Sequence, residues 1–184
     1  MPCTPEFALN YGFTGPNLRA AGVDYDVRVM NPYSSYQDFD FIVPVGTTGD
    51  TYDRWLVREA EMWESLKIIQ QAIQKLPEGP CHADVPEFYL PPKEEVYNNM
   101  EALIYQFKIV MGEIPVPKGE VYHSVEGANG ELGFYLISDG GRMPYRLHFR
   151  RPCFIYYQAY TEMVKGSLLS DAIIALSSLN VIAG

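Results

Sequence analysis

The sequence has no CxxC pair and no cluster of cysteine with histidine: Cys3, Cys81 and Cys153 lie far apart, and there are only three histidines. Such spacing supplies neither a disulfide framework nor a self-contained zinc or iron–sulfur site, and it fits a reducing compartment. No apolar run approaches the roughly 18 residues that span a bilayer. The opening MPCTPEFALNYG lacks the charged and apolar regions of a secretory signal, so any work at a membrane is expected to be peripheral. Cations are scarce too, with 14 Lys and Arg against 23 Asp and Glu and a formal net charge of −9. Phosphate backbones are held by clustered cations, and the one local cluster, Arg150 and Arg151, is short, so nucleic acid is excluded as a general partner.

What is present is core material. The 184 residues are 47% hydrophobic and 14% aromatic, enough for one domain, with no internal repeat. TPEFALNYG reads as a short helix with Thr4 as N-cap, Pro5 at the first helical position and a stop at Gly12. Residues 13–49, punctuated by Gly15, Pro16, Gly22, Pro32, Pro44, Gly46 and Gly49, read as an irregular wrapping segment. From Asp50, an expected N-cap, Tyr52, Trp55, Met62, Leu66, Ile69, Ile73 and Leu76 recur at steps of three, four and seven. They form one stripe of a long helix over 50–76 of a kind found in bundles. Glu59 interrupts that stripe beside Arg58 and predicts a half-buried carboxylate that needs a cation.

After a proline-rich connection, Val96, Met100, Leu103, Ile104, Phe107, Val110 and Met111 make the apolar face of a second long helix over 94–111, ended by Pro115 and Pro117. Alternation then takes over in EVYHSVE, ELGFYLIS and PYRLHFR, an antiparallel sheet spanning 119–150. Asn129-Gly130 predicts a type I′ hairpin, and Asp139-Gly140-Gly141 a second turn. In the third strand Tyr145, Leu147 and Phe149 predict a core face, and Arg146, His148 and Arg150 a basic one. Glu120, Glu126, Glu131 and Asp139 are placed to ion-pair across strands, which makes this face scaffolding. Two C-terminal helices follow over 155–180, the second apolar on most sides and so destined for burial in a bundle or an assembly. The fold class is α+β, a helix bundle with a small antiparallel sheet.

Several strings carry a resemblance: FTGPNLRAAG, YQDFDFIVPVGTTGDTYDRWLVREAEMWES, MEALIYQFK, PKGEVYHSVEGANGELGFYLISDGGRMPYRLHFRRPCF and GSLLSDAIIALSSLNVIAG. Taken in order they resemble the C-terminal half of the quinone-site subunit of respiratory complex I, the D subunit of bacterial NADH-quinone oxidoreductase. That family is related to the large subunit of nickel-iron hydrogenases.

The resemblance implies a partial hydrogenase-large-subunit-like fold in a peripheral-arm subunit of a proton-pumping NADH:quinone oxidoreductase. Such a subunit helps the iron–sulfur B subunit form the quinone cavity. The C subunit and the membrane-arm subunits are its other implied partners, FMN and the iron–sulfur clusters lie on partner subunits, and quinone and NADH are substrates of the whole complex. The implied location is the cytoplasmic side of the inner membrane. The family's quinone-contacting His and Tyr, and the Asp behind that His, fall in its N-terminal half. No catalytic residue is therefore assigned here, no cofactor is expected on this chain, and alone it is expected to be inactive.

Related hydrogenases hold nickel with two CxxC pairs, the second aligning its first cysteine with Ile182, and an aliphatic side chain there excludes a thiolate metal site. The family pattern continues a few residues past Gly184, so a small truncation is expected. Family members often carry two histidines where this chain has Tyr105 and Gln106, which argues against imidazole titration in that helix. Asp50, Asp53, Arg54, Arg58, Glu101 and Arg146 are the candidate structural or interface residues. The alternatives left open are a truncated fragment with a structural or binding role, and the large subunit of a membrane-bound hydrogenase.

Overall fold

The computed structural model describes residues 3–80, 85, 88–112 and 116–181, so Cys81, Pro115 and Ile182 lie outside the described residues. The chain divides into two compact units. The first holds Met1–Leu76, His123–Phe134 and Phe149–Gly184, and the second holds Pro77–Tyr122 and Tyr135–His148.

The first unit begins with α1 (Pro5–Asn10). Thr4 sits in an extended conformation and its hydroxyl accepts the Phe7 N–H at 3.2 Å, so the cap and the proline act where the sequence places them. The segment expected to be irregular contains α2 (Gly15–Ala20), α3 (Val27–Met30) and a 3₁₀ turn over Tyr36–Asp38. Gly15-Pro16, which reads as a break, instead opens α2, because the missing proline N–H belongs to the first turn, where helices leave N–H groups unbonded. All six residues of α2 are buried. The core joins Cys3, Ala8, Phe13, Leu18 and Ala21 from this N-terminal region to Tyr156, Ala159, Met163 and Leu179, some 140 residues later in the chain.

The long helix α4 (Thr51–Lys75) starts at the expected cap, with Asp50 Oδ1 accepting the Asp53 N–H at 2.8 Å. Its apolar stripe, however, is not the face turned inward. Tyr52, Trp55, Met62, Leu66, Ile69, Ile73 and Leu76 are all exposed, and the buried residues are Asp53, Arg54 and Val57. Periodicity identifies an apolar stripe but not which neighbour covers it, and here α2 and α8 meet the polar side.

In the second unit the expected single helix over 94–111 is two, α5 (Lys93–Asn98) and α6 (Met100–Met111). Asn99 between them is extended (φ −127°, ψ 122°), and its side chain accepts the Glu101 N–H at 2.9 Å. A residue that competes for backbone donors has become a cap instead of a helix interior. The apolar face of α6 is exposed from Met100 to Met111, with Ala102 its buried residue.

Strands β1 (Gly119–Gly127), β2 (Gly130–Ser138) and β3 (Arg146–Arg150) form an antiparallel sheet in that order. The β1–β2 turn is not type I′. Gly130 has φ +125°, but Asn129 is not in the left-handed region, and the turn residues are Ala128 and Asn129. Asn129 is held elsewhere: its Nδ2 donates to the Asn180 carbonyl at 3.2 Å, while Asn180 Nδ2 donates to its Oδ1 at 2.6 Å. The expected core face of β3 is also corrected. Tyr145, Leu147 and Phe149 are all exposed, although Phe149 meets Phe134 edge-on.

Helices α7 (Pro152–Met163) and α8 (Leu169–Leu179) close the first unit. Of α8, Ala175 and Leu179 are buried and Ile173 and Ile174 are exposed, so the helix is half covered within this chain. Tyr156, fully buried on α7, joins the hairpin to the N-terminal region. Its hydroxyl lies 2.6 Å from the carbonyl oxygens of both Thr14 and Asn129, which share its one proton. Replacing Tyr156 with Phe strands these acceptors away from water, and a loss of about 1–3 kcal/mol is expected in chemical denaturation.

Candidate functional site

The polar interior of the first unit is built from α2, α3, α4 and the end of β1, and it falls into two clusters. In the first, Asp53 and Arg54 tie the start of α4 to the loop before it. Asp53 Oδ2 accepts from the Thr48 hydroxyl (2.7 Å) and from the N–H groups of Thr47, Thr48 and Gly49 at 2.9, 2.6 and 3.3 Å. The Thr48 hydroxyl and then the backbone donors hold the carboxyl at about 2, below its ordinary 3.8. A carboxylate lowered in this way adds stability that is complete above about pH 4 and is lost as pH falls toward 2. The difference in melting temperature between wild type and Asp53→Asn is therefore expected to shrink across that window in a pH series of thermal melts.

Arg54, one residue on, is 1% exposed. It donates from Nε to Ser178 Oγ at 3.0 Å, from Nη1 to the Gly49 carbonyl at 3.0 Å, and from Nη2 to Thr51 Oγ1 at 2.9 Å. Arg58, a turn further along, reaches the Ser178 carbonyl at 2.7 Å and Asn17 Oδ1 at 3.2 Å. Burial lowers the pKa of both guanidinium groups.

The second cluster surrounds Arg19, also 1% exposed, which sequence reasoning did not single out. Its Nε and Nη2 hold Glu61 Oε1 at 2.9 and 2.6 Å, and its Nη1 reaches the Tyr25 carbonyl at 2.9 Å, Glu126 Oε1 at 3.0 Å and Asp26 Oδ2 at 3.4 Å. Arg28 completes the group with Nη2 on Asp26 Oδ2 at 2.6 Å. Three carboxylates thus share two guanidinium groups. Burial outweighs Arg19 at Glu61 and Glu126 and raises both carboxyls, whereas at Asp26 burial is overcome by Arg28 and Arg19 and the carboxyl is lowered.

The candidates thus divide between the units. Asp50, Asp53, Arg54 and Arg58 converge in the first, while Glu101 and Arg146 belong to the second, both exposed. Glu101 lies in the first turn of α6, and Arg146 influences the Tyr135 phenol, whose hydroxyl donates to Glu120 Oε1 at 2.6 Å. The carboxylate of α4 that finds a cation in the interior is Glu61, two residues beyond the expected Glu59, since Glu61 faces α2 and Arg19. The acidic residues expected opposite β3 have other work as well: Glu126 joins Arg19, and Asp139 Oδ1 accepts the Gly141 N–H at 2.8 Å. Arg150 acts as a clamp, donating to the carbonyls of Glu131 (2.8 Å) and Gly12 (3.0 Å), and His148 is exposed. Among the described residues no three His, Cys, Asp or Glu side chains converge as metal ligands.

A groove of about 690 Å³ lies between α4 and α8, walled by Tyr52, Trp55, Ile173 and Ile174, with Arg58 and Asn180 among its polar lining. Arg58 and Asn180 also border a second hollow of about 500 Å³ along α4. These hollows offer hydrogen-bond donors and apolar walls. Among the described residues neither is lined by a cysteine or histidine.

Eight helices, a three-stranded antiparallel sheet and a charged interior held by backbone clamps define, among the described residues, an α+β subunit of the hydrogenase-large-subunit-like class. Residues 2–184 match the family model described as respiratory-chain NADH dehydrogenase, 49 Kd subunit, and the chain belongs to that family. The second NADH-quinone oxidoreductase D subunit of Cytophaga hutchinsonii is 76% identical over 184 residues, which cover 98% of this chain and 47% of that protein. The D subunit of the same enzyme from Flavobacterium johnsoniae is 76% identical over 182 residues, covering 98% and 44%. That of Leptospira biflexa is 61% identical over 177 residues, covering 96% and 44%. The chain spans less than half the length of these relatives.

Proposed function

We propose that this chain forms part of the peripheral-arm D subunit of a proton-pumping NADH:quinone oxidoreductase. In this role it supplies packed walls around the quinone-reduction cavity and docks on the iron–sulfur B subunit. The observation that carries this reading is the family match over residues 2–184, together with 76% identity to a protein named as a D subunit of that enzyme. The C subunit and the membrane-arm subunits are the other partners, and NADH and quinone are substrates of the whole assembly. FMN and the iron–sulfur clusters reside on partner subunits, and this chain alone has no activity. Its place is peripheral, on the cytoplasmic side of the inner membrane. Among the described residues no helix is long and apolar enough to cross a membrane, which suits that placement. The exposed apolar faces of α4, α6 and α8 suit a chain that is covered in an assembly. Asp50, Asp53, Arg54 and Arg58 keep the wall rigid, and Glu101 and Arg146 serve partner contacts.

Affinity purification of the tagged protein from detergent-solubilised membranes tests this. The other complex subunits are expected to copurify, and deletion of the gene is expected to abolish NADH:quinone reductase activity in membranes. Recovery of the protein without those subunits, or unchanged activity after deletion, rejects the reading.

A further inference from the structure

The two glycine turns of the sheet differ in how firmly the fold holds them. In both Asn129-Gly130 and Asp139-Gly140 the glycine nitrogen follows a residue whose Cγ it can attack to close a five-membered imide. Glycine places no Cβ in the way, so the reaction is limited by how often the two atoms meet.

At Asn129 the fold keeps them apart. The residue is 6% exposed, its Nδ2 donates to Cys153 Sγ at 3.3 Å and to the Asn180 carbonyl at 3.2 Å, and its Oδ1 accepts from Asn180 Nδ2 at 2.6 Å. Gly130 packs so closely on Gly15 that an added Gly15 Cβ would lie 2.6 Å from the Gly130 nitrogen. Amide and nitrogen are both fixed, and the ring cannot close without opening the core.

Asp139 stands differently. Asp139, Gly140 and Gly141 are exposed, in the stretch between β2 and β3. The carboxyl is folded forward over the peptides that follow it: Oδ1 accepts the Gly141 N–H at 2.8 Å, and an added Gly141 Cβ would lie 2.9 Å from Oδ1 and 3.7 Å from Cγ. This turn holds the carboxyl on the side from which the Gly140 nitrogen reaches it. The Gly140 N–H donates to Ser138 Oγ at 3.2 Å, a bond within the turn, and the atoms nearest an added Gly140 Cβ belong to the flexible Lys118 side chain.

We propose that Asp139-Gly140 is a site of spontaneous isomerisation to isoaspartate, and that the neighbouring Asn129-Gly130 is protected by the fold. The Gly140 nitrogen attacks Cγ of the protonated carboxyl, the N–Cγ bond forms, and the Cγ–OH bond breaks as water leaves with the proton of the nitrogen. Water then adds to the imide. Opening at Cγ restores aspartate, whereas opening at the α-carbonyl leaves Gly140 joined through Cγ beside a free α-carboxylate. The mass is unchanged, the backbone lengthens by a methylene, and the bond to the Gly141 N–H is lost. The proposal rests on the geometry of the two turns and is independent of the electron-transfer role.

The test uses the assembled complex, held folded at neutral pH and growth temperature and sampled over weeks. Digestion and electron-transfer fragmentation distinguish the two linkages. A second peptide of unchanged mass with isoaspartate at 139 is expected to accumulate, and to accept a methyl group from S-adenosylmethionine with purified isoaspartyl methyltransferase. Asn129 is expected to keep its amide in the folded complex and to lose it after denaturation in urea. Gly140→Ala is expected to suppress the isomerised peptide, because its Cβ crowds the nitrogen. An unchanged Asp139 peptide in the folded complex, reaction first at Asn129, or an undiminished yield from Gly140→Ala overturns the proposal. The wild-type measurements decide it whether or not that variant assembles.

Discussion

Replacing Arg19 with glutamine is expected to lower the unfolding free energy by about 3–5 kcal/mol, the range for breaking a buried ion pair from one side. The reason lies in what stays behind. Glu61, Glu126 and Asp26 are each within 3.4 Å of the Arg19 guanidinium, and Arg28 alone cannot serve all three carboxylates. Their own burial already favours the neutral form of Glu61 and Glu126. Without Arg19 this tendency grows, and the variant recovers stability as pH falls and the two carboxyls take up protons. The sign is opposite to that at Asp53, where acid removes stability. Urea unfolding of wild type and variant at neutral pH and near pH 5 reads both effects. Arg19→Lys is expected to recover only part of the loss, since an ammonium cannot match the paired Nε and Nη2 bonds to Glu61 Oε1. A penalty independent of pH would contradict the network.

Gly130→Ala is the second change with a large expected effect. Gly130 has φ +125°, and a Cβ there would lie 2.4 Å from the Tyr156 hydroxyl, 2.6 Å from Thr14 Oγ1 and 3.0 Å from the Thr14 carbonyl carbon. The opposing surface is Gly15, itself at φ +61°, whose own added Cβ would come within 2.3 Å of Gly130 Cα. Two glycines meet here because nothing larger lets the β1–β2 turn touch the start of α2. Strain at such a φ contributes about 1–3 kcal/mol and overpacking a similar amount, so a loss of about 2–6 kcal/mol is expected. Gly140→Ala is the control. Its φ is also positive, at +86°, but the nearest atoms are the flexible Lys118 side chain at 3.2 and 3.4 Å. Only the backbone strain, about 1–3 kcal/mol, is expected there, and equal losses at the two sites would remove close packing as the cause. Melting curves of the two variants decide it.

What the sequence made legible depended on range. Signals that act within one turn of chain are readable: Thr4 and Asp50 cap the helices expected of them, and Gly130 takes positive φ in the hairpin. Signals that depend on distant neighbours are not. Asn129 has the residue type for a type I′ turn, but the amide exchange with Asn180 fixes it in another conformation. The α4 stripe is present as read, yet its burial depends on what covers it. Arg19 in GPNLRAAG carries no local mark of its role, because its partners Glu61 and Glu126 are 42 and 107 residues away. Of the candidates, Asp50 carries a local mark as the cap of α4, and Arg54 and Arg58 lie beside the carboxylate that interrupts the stripe, whereas the clamp on Asp53 depends on the fold of the loop before it. Arg19, Asn17 and Ser178 were visible only once the chain had folded.

The core that pairs Phe13 and Leu18 with Tyr156 and Leu179 sets a schedule for synthesis. Helices α1 and α2 emerge from the ribosome with the side that meets Tyr156 and Leu179 open and wait for about 140 further residues before those partners exist. At ~5–20 residues per second that wait is on the order of ten seconds, long enough for a chaperone or a neighbouring nascent chain to reach the open side first. Slowing translation anywhere between the codons for Ala21 and Tyr156 should therefore lower the yield of folded protein without altering a single side chain.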